Sequence, residues 1–394
     1  MMDQNISRQL LAFLDASPSC YHAAANAAAE LLAAGYTRLY EGELWHLAEG
    51  GRYFTLRGDS SLIAFRIPCR DFRGFMIAAG HSDSPTFKVR EMGKVVSRLV
   101  NVDRDLLVIP GVAIHMDREV NKGTALKANV DLLPLFACGK ELGAFRRLIV
   151  EEAGVEEADL LTTDLFLYPR TRGTLTGANE EFVASARLDD LQCVFGCLRG
   201  FLAAEDSISV PVLAVFNNEE VGSGTRQGAD STFLADVLRR INGAMGRGEE
   251  DWMIAVANSF LVSADNAHAV HPAHPEYADP SEAPVLNGGI VLKYNASQRY
   301  TTDALSAAVF SQICHETGVP VQRYSNRADL PGGSTLGNIS TAHLSVHSVD
   351  IGLPQLAMHS AYEVAGTKDT EYLVRAMTTY FGRSFRVGPE GIQI

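Results

Sequence analysis

Two short apolar runs in this chain end beside side chains that can bind a metal ion. Residues 75–79 lead to His81, and residues 210–216 lead to the adjacent carboxylates Glu219 and Glu220. Continuous apolar runs of this length are typical of strands buried on both faces. Open α/β sheets bind ligands at the carboxyl ends of their strands. The two runs therefore predict an α/β fold with a polar site at one edge of the sheet.

Helical and extended patterns alternate along most of the chain. Apolar spacing predicts helices over residues 6–15, 20–34, 190–204, 302–317 and 370–381, and strands over residues 52–57, 61–67 and 286–294. The expected architecture is a mixed central sheet flanked by helices.

The pattern changes between residues 91 and 179, where short β-like pieces, prolines and charged residues replace this alternation. A chain of 394 residues also exceeds one comfortable hydrophobic core. We therefore expect a main domain formed by residues 1–90 and 180–394, interrupted by an inserted β-rich domain at residues 91–179.

Composition limits the partners and the compartment. The formal net charge is −13, so the phosphates of a nucleic acid would be repelled. We find no apolar run of about 18 residues that could span a membrane, and the residues after Met1 do not resemble an export signal. The six cysteines form no CxxC pair, which favours free thiols and a cytoplasmic location.

Five side chains in separate local motifs could together hold metal ions. They are His81, Asp189, Glu220, Asp265 and His359. Two imidazoles and three carboxylates, without a thiolate, form a nitrogen and oxygen site suited to zinc, manganese or cobalt. Beside Glu220, the adjacent Glu219 can act as a general base that takes a proton from an attacking water.

Each motif has an ordinary alternative when it is taken alone. Residues 80–85 can be a simple turn, and Asp189 can cap the helix that follows it. Asp83 lies two residues after His81 on an extended segment, so both side chains can face the same side. Asp83 can then orient the imidazole or fix the local backbone. Only the combination of the motifs makes a metal site the favoured interpretation.

Nine short strings occur along the chain in a characteristic order. They are Gly-His-Ser-Asp-Ser-Pro at 80–85, Ile-His at 114–115, Arg-Leu-Asp at 187–189, Asn-Glu-Glu-Val-Gly-Ser at 218–223, Ser-Ala-Asp at 263–265, Ala-His-Ala-Val-His-Pro at 267–272, Gln-Arg-Tyr at 298–300, Gly-Gly-Ser-Thr at 332–335 and Met-His-Ser at 358–360. With these strings the chain resembles the aspartyl aminopeptidase family of two-zinc metallopeptidases, from the turn at residues 17–19 to the last predicted helix.

The resemblance implies a role for each ligand. Asp189 would bridge two divalent metal ions per chain, with Zn²⁺ expected and Mn²⁺ or Co²⁺ as alternatives. His81 and Asp265 would complete one metal site, and Glu220 and His359 the other.

The resemblance also implies residues that act on the substrate. The family removes N-terminal residues from peptides, often Asp or Glu, and Glu219 would be the general base. Lys293 would pair with an acidic side chain, although a lysine in solvent at a strand end is the alternative. His268 would line the same pocket, and Gly333 lies in a turn that would approach the substrate backbone. His115, in the insertion, would act as a catalytic residue in the active site of a neighbouring subunit.

The family builds dimers and larger closed assemblies, so we expect a homo-oligomer in which the insertion serves as a dimerisation and lid domain.

Two features depart from the family pattern. Asp190 stands where the family usually has Asn, which adds a negative charge beside the bridging ligand. Stretches that normally follow the segment at residues 88–90 are missing, so we expect a shortened insertion, with the absence of a natural segment from this sequence as the alternative.

Two other functions fit parts of the pattern. A zinc amidohydrolase acting on small acylated amino acids would use similar ligands, but the strings between residues 263 and 272 favour the aminopeptidase family. A non-catalytic oligomeric scaffold could retain a metal site, but it would not need Glu219. A metal-dependent aminopeptidase acting on peptides is the leading hypothesis.

Overall fold

The computed structural model describes residues 2–85, 88–90, 97–139, 142–330, 332–389 and 391–394. The chain separates into two compact units, one formed by Met1–Thr86 with Thr171–Ile394 and the other by Phe87–Arg170. The domain boundaries expected at residues 90/91 and 179/180 stay a prediction. Residues 91–96, where the insertion is expected to begin, lie outside the described residues.

The described residues form ten α-helices and eighteen strands. In chain order the helices are α1 (Met2–Ala16), α2 (Cys20–Ala33), α3 (Ala128–Asp131), α4 (Ala144–Ala153), α5 (Leu188–Ala203), α6 (Phe233–Ala244), α7 (Glu249–Ala257), α8 (Ala304–Thr317), α9 (Leu336–His343) and α10 (Thr367–Phe381). The strands are β1 (Thr37–Leu39), β2 (Arg52–Arg57), β3 (Ser61–Arg66), β4 (Phe75–His81), β5 (Lys88–Arg90), β6 (Asp164–Phe166), β7 (Thr174–Thr176), β8 (Phe182–Ser185), β9 (Val210–Phe216), β10 (Phe260–Ala264), β11 (Ala267–His268), β12 (Ile290–Tyr294), β13 (Val321–Ser325), β14 (His347–Gly352), β15 (Pro354–Leu356), β16 (Glu363–Gly366), β17 (Arg386–Gly388) and β18 (Gly391–Gln393).

A nine-stranded mixed sheet forms the centre of the larger unit, in the order β1-β2-β3-β9-β4-β10-β14-β12-β13. The four neighbours β9, β4, β10 and β14 are parallel, so their carboxyl ends meet at one edge. Strands β4 and β9 are buried along their whole length, as expected for parallel strands covered on both faces. The predicted mixed α/β architecture is confirmed.

Helices cover both faces of this sheet. One apolar cluster includes residues of α2, α5, α8 and α10, and another includes residues of α6, α7 and α9. Helices α5 and α10 pack closely because α5 carries two glycines at the contact. A Cβ on Gly196 would lie 2.6 Å from a methyl carbon of Leu373, and one on Gly200 would lie 2.6 Å from Cβ of Met377.

One predicted strand begins later than expected. The strand expected from residue 286 starts at Ile290, because Asn287 and Gly289 have φ angles of 63° and 102°. These left-handed conformations form a turn and are incompatible with an extended strand.

A second sheet of five strands, in the order β11-β15-β16-β8-β7, also belongs to the larger unit. The connection between β15 and β16 carries His359. This sheet therefore contributes one predicted ligand that the central sheet does not carry.

The described residues of the smaller unit form α3, α4 and a two-stranded sheet of β5 and β6. An isolated bridge joins Val108 and Leu135, and Phe136 and Phe145 pack edge to face. The β-rich character expected of the insertion is therefore only partly seen in these residues.

Among the described residues, no helix has both the length and the apolar character needed to cross a lipid bilayer.

Candidate metal centre

The five predicted ligands come from five separate segments of the larger unit. His81 ends β4, Asp265 follows β10, Glu220 lies in the turn after β9, Asp189 lies in the first turn of α5, and His359 lies between β15 and β16. Three of these positions are at the carboxyl ends of parallel strands, where such sheets place ligands.

The structure brings these side chains together as two groups. His81, Asp189 and Asp265 form one group, and Asp189, Glu220 and His359 form the other. In each group, one ligand atom per residue lies within 4.8 Å of the others. Asp189 belongs to both groups, and its carboxylate lies between the two imidazoles.

Short contacts connect the members of the groups. Nε2 of His359 lies 3.1 Å from Oε2 of Glu220 and 3.3 Å from Oδ2 of Asp189. Nε2 of His81 lies 3.5 Å from Oδ1 of Asp189. The two carboxylate oxygens of Asp189 each face one of these imidazoles, and the backbone of Asp189 itself is non-helical. This arrangement fits a metal ligand better than a helix cap.

The donor atoms fit divalent metal ions. Within the described part of the chain, Oδ1 of Asp189 and Oε1 of Glu220 are buried without a hydrogen-bond donor. A buried carboxylate oxygen without a partner is costly, and a cation between the ligand atoms would remove this cost. Nitrogen and oxygen donors with no thiolate suit zinc.

The charges of the groups are strongly coupled. Burial lowers the pKa of His81, but the nearby Asp189 and Asp83 carboxylates outweigh it and raise the pKa well above its usual value. Hydrogen bonds with Asp189 and Glu220 raise the pKa of His359 to about 10. The imidazoles thus bind protons that offset the carboxylates, and metal binding would displace those protons.

Glu219 is half-buried beside the two groups. Burial is the main cause that raises its pKa to about 7, and the charges of Asp265, Glu220 and Asp189 add to the rise. Bound cations would lower this pKa, because nearby positive charge favours a carboxylate. A carboxylate with a pKa between its usual value and neutrality is suited to exchange protons with a reacting group.

Asp83 contacts both a ligand and the turn that carries the glutamates. Its carbonyl oxygen lies 3.0 Å from Nδ1 of His81, and its carboxylate oxygen Oδ1 lies 3.5 Å from the same nitrogen. The carboxylate also accepts hydrogen bonds from the backbone N–H groups of Glu219 and Glu220, at 3.1 and 3.2 Å. Asp83 therefore holds Nε2 of the imidazole toward Asp189 and fixes the glutamate turn.

Two more carboxyl groups hold the backbone of the ligands. Glu363, which no sequence motif indicates, accepts hydrogen bonds from the backbone N–H groups of His359 and Asp189, at 2.8 and 3.2 Å. Asp190 accepts one from the backbone N–H of His81 at 3.1 Å. Burial raises the pKa of Asp190 well above its usual value, which opposes the extra negative charge expected from the sequence.

Lys293 is buried on β12, with only 3% of its surface exposed. Its Nζ lies 3.4 Å from Oδ1 of Asp265 and 5.6 Å from the centre of the Tyr300 ring. Burial lowers the pKa of Lys293, but the charge of Asp265 and its other neighbours raises it above the usual value, so the side chain stays charged. The alternative of a lysine in solvent is therefore wrong.

The remaining predicted residues lie in three different settings. His268 has an exposed surface and packs at 6.0 Å against the Tyr324 ring. Burial by the surrounding protein and the charge of Lys293 lower the pKa of His268. Gly333 lies in an exposed loop before α9. His115 belongs to the smaller unit, where it lies in an exposed turn.

Comparison with known proteins identifies the family. The family described as Aminopeptidase I zinc metalloprotease (M18) matches residues 13–97 and 89–381. A probable M18 family aminopeptidase 2 of Clostridium acetobutylicum is 37% identical over 424 positions, covering 95% of this chain and 98% of the relative. One from Pseudomonas aeruginosa is 37% identical over 431 positions, covering 97% and 99%. This chain belongs to the M18 family and is a zinc metallo-aminopeptidase.

Solved structures share the fold. A chain in the cryo-EM structure of the Ape4 and Nbr1 complex is 31% identical, with a TM-score of 0.92 over 97% of this chain and 86% of that chain. The S. cerevesiae mApe1 dodecamer gives a TM-score of 0.79 at 24% identity, with 97% of each chain covered.

Proposed function

We propose that this M18 enzyme is an aspartyl aminopeptidase that uses two divalent metal ions to release N-terminal Asp or Glu from peptides. The observation that carries this proposal is the position of Asp189, whose carboxylate belongs to both ligand groups. His81, Asp189 and Asp265 would hold one zinc ion and Asp189, Glu220 and His359 the other, and such ions would supply Lewis-acid activation of the peptide carbonyl and of water. The side chains around the groups supply proton transfer and orientation.

In this mechanism Glu219 takes a proton from the attacking water and delivers it to the leaving amine. Its backbone is held by Asp83, so its carboxylate is presented from a fixed turn. Asp83 and Glu363 also keep His81, Asp189 and His359 in place through the contacts described above. Such supporting groups keep ligands oriented and reduce the reorganisation needed during turnover.

The preference for acidic residues rests on Lys293. An ammonium group has three donors, and in the structure Asp265 is its nearby anionic partner. A substrate carboxylate beside Lys293 would be a second partner, whereas an apolar side chain would gain nothing from the charge. His268 and Gly333 are proposed to contact the same substrate residue.

A screen with aminoacyl p-nitroanilides tests the reaction class. Aspartyl and glutamyl substrates are expected to be cleaved faster than leucyl and alanyl substrates in the presence of zinc, manganese or cobalt. N-acetylated versions are expected to resist cleavage, because an aminopeptidase binds the free α-amine. Preferential removal of the acetyl group from an N-acetylated amino acid, with release of acetate and the free amine, would instead support the amidohydrolase alternative.

Two metal ions per chain are expected from elemental analysis of metal-supplemented protein, because the ligand groups share Asp189. His359→Ala removes a ligand from only one group and is expected to retain about one ion per chain. Wild-type protein that never exceeds one ion per chain would contradict the two-metal proposal.

Lys293→Met is expected to lower kcat/KM for aspartyl and glutamyl substrates at least about tenfold more than for leucyl and alanyl substrates. Metal content is measured in parallel, because Lys293 also neutralises Asp265. Arg323→Met, on the neighbouring strand β13, is the control for loss of a positive charge. Equal losses for all substrates would show that Lys293 does not select the side chain.

We also propose assembly into dimers and a larger closed homo-oligomer in the cytoplasm. The smaller unit exposes large apolar side chains, including Val112, Met116 and Leu142, the last with 92% of its surface exposed. Such side chains favour an interface, and one structural neighbour is a dodecamer. All six cysteines are free, which suits a reducing compartment.

A shortened insertion is part of the proposal. The alignment with the C. acetobutylicum relative spans 424 positions, more than the 394 residues of this chain. The family is matched in two segments that meet at residues 89–97, next to the place where family stretches are missing. The greater length of the alignment supports a deletion, and the overlap of the two family matches supports its position near the start of the insertion.

A further inference from the structure

Asp350 lies within β14 and is fully buried. Its strand pairs with β10, which leads to Asp265, and with β12, which carries Lys293. Burying a carboxylate is costly unless donors satisfy it. The donors that Asp350 uses therefore indicate which parts of the molecule it holds together.

Two separate segments donate to this one carboxylate. Oδ2 accepts hydrogen bonds from the backbone N–H and the hydroxyl of Thr301, at 2.6 and 2.8 Å. Oδ1 accepts one from the hydroxyl of Thr335 at 2.5 Å. The backbone N–H of Asp350 also donates to the hydroxyl of Thr302 at 2.9 Å. Asp350 thus links the loop before α8 to the turn before α9.

The local structure around Thr335 is arranged for this contact. Thr335 is the N-cap residue of α9, where a threonine hydroxyl usually accepts an N–H from the first turn. Here it forms no such cap and donates to Asp350 instead. A Cβ on Gly337 would lie 2.5 Å from Oδ1 of Asp350, so the close approach requires glycine.

One of the linked segments lies beside Lys293, and the other is held to it. Thr301 directly follows Tyr300, whose buried ring lies 5.6 Å from Nζ of Lys293. Thr335 ends the turn that contains Gly333. A second link joins the same segments, because the Arg299 guanidinium donates to the carbonyl of Gly332 at 3.1 Å.

We infer that Asp350 is a positioning residue for substrate binding, which fixes the Tyr300 loop beside Lys293 and holds the loop at residues 332–335 against it. The inference rests on the proposed placement of the substrate side chain near Lys293. It predicts that loss of the link weakens substrate binding and leaves the metal ligands and Glu219 in place.

Thr335→Val removes the hydroxyl with little change in volume, and Thr335→Ser retains it. Thr335→Val is expected to raise KM for aspartyl and leucyl p-nitroanilides about tenfold, with kcat within about twofold of wild type, since one buried acceptor loses its donor. Thr335→Ser is expected to restore a wild-type KM. The inhibition constant of free aspartate, the metal content and the Tm are measured for each variant.

A merely structural role would lower the Tm or the active fraction while KM and the inhibition constant stay unchanged, and this result would overturn the inference. Thr335→Ser behaving as poorly as Thr335→Val would also overturn it. Thr301→Val, which removes another hydroxyl donor to Asp350, gives a second test if Thr335→Val does not fold, with a rise in KM again expected. The expected rise in KM for the leucyl substrate does not depend on a preference for acidic residues. The inference about Asp350 can therefore hold even if Lys293→Met leaves the acidic preference unchanged.

Discussion

Glu219→Gln is expected to lower kcat by about 10²–10⁴-fold, the usual contribution of a general base. The substitution keeps the size of the side chain but removes the oxygen that accepts the proton. Because Glu219 is not in either ligand group, metal content is expected to stay at the wild-type value. The measurement combines steady-state kinetics on aspartyl p-nitroanilide with elemental analysis.

Glu250→Gln, on the exposed surface of α7, is the control for loss of a carboxylate and is expected to retain full activity. If Glu219→Gln hydrolyses the substrate as fast as wild type, Glu219 is not the base. If it loses metal as well as activity, Glu219 acts as a ligand and the assignment of the two glutamates must be revised.

The strand ends of the candidate site could be predicted because their signal is local. Strands β4 and β9 are continuous apolar runs, so His81 and the Glu219–Glu220 pair could be placed at the edge of the sheet from the sequence. Strand β14 is also a parallel strand of the central sheet, but Ser348 and Asp350 interrupt its apolar pattern. It was therefore missed, together with the short helix α9 that contacts it.

Residues that act through distant backbone groups could not be predicted. Glu363 accepts hydrogen bonds from His359, four residues before it, and from Asp189, far away along the chain. Only the packing of β16 against the ligand loops makes this contact. By contrast, α6 has a clear helical apolar pattern in Leu234, Val237, Leu238 and Ile241, so this helix can be predicted from the sequence.

The largest effect expected outside the larger unit concerns His115. The proposal that the insertion carries this histidine to the active site of a neighbouring subunit predicts that His115→Ala nearly abolishes turnover. One lost donor to the oxyanion of the tetrahedral intermediate is worth roughly 3–4 kcal/mol, which corresponds to about 10²–10³-fold in kcat. Its exposed position in a turn means that little loss of stability is expected, and the Tm measures this.

A mixed dimer distinguishes action on the neighbouring subunit from action within one chain. A His115→Ala chain retains Glu219, and a Glu219→Gln chain retains His115, so each homodimer is expected to be nearly inactive. Under two-fold symmetry, the heterodimer contains one site with both residues intact and one with neither, and up to about half of the wild-type activity should return. Differently tagged chains are co-expressed, and the heterodimer is isolated by two affinity steps before assay. A verified heterodimer without recovered activity would mean that His115 does not act across the dimer, because a site served by its own chain would lack one of the two residues in both protomers.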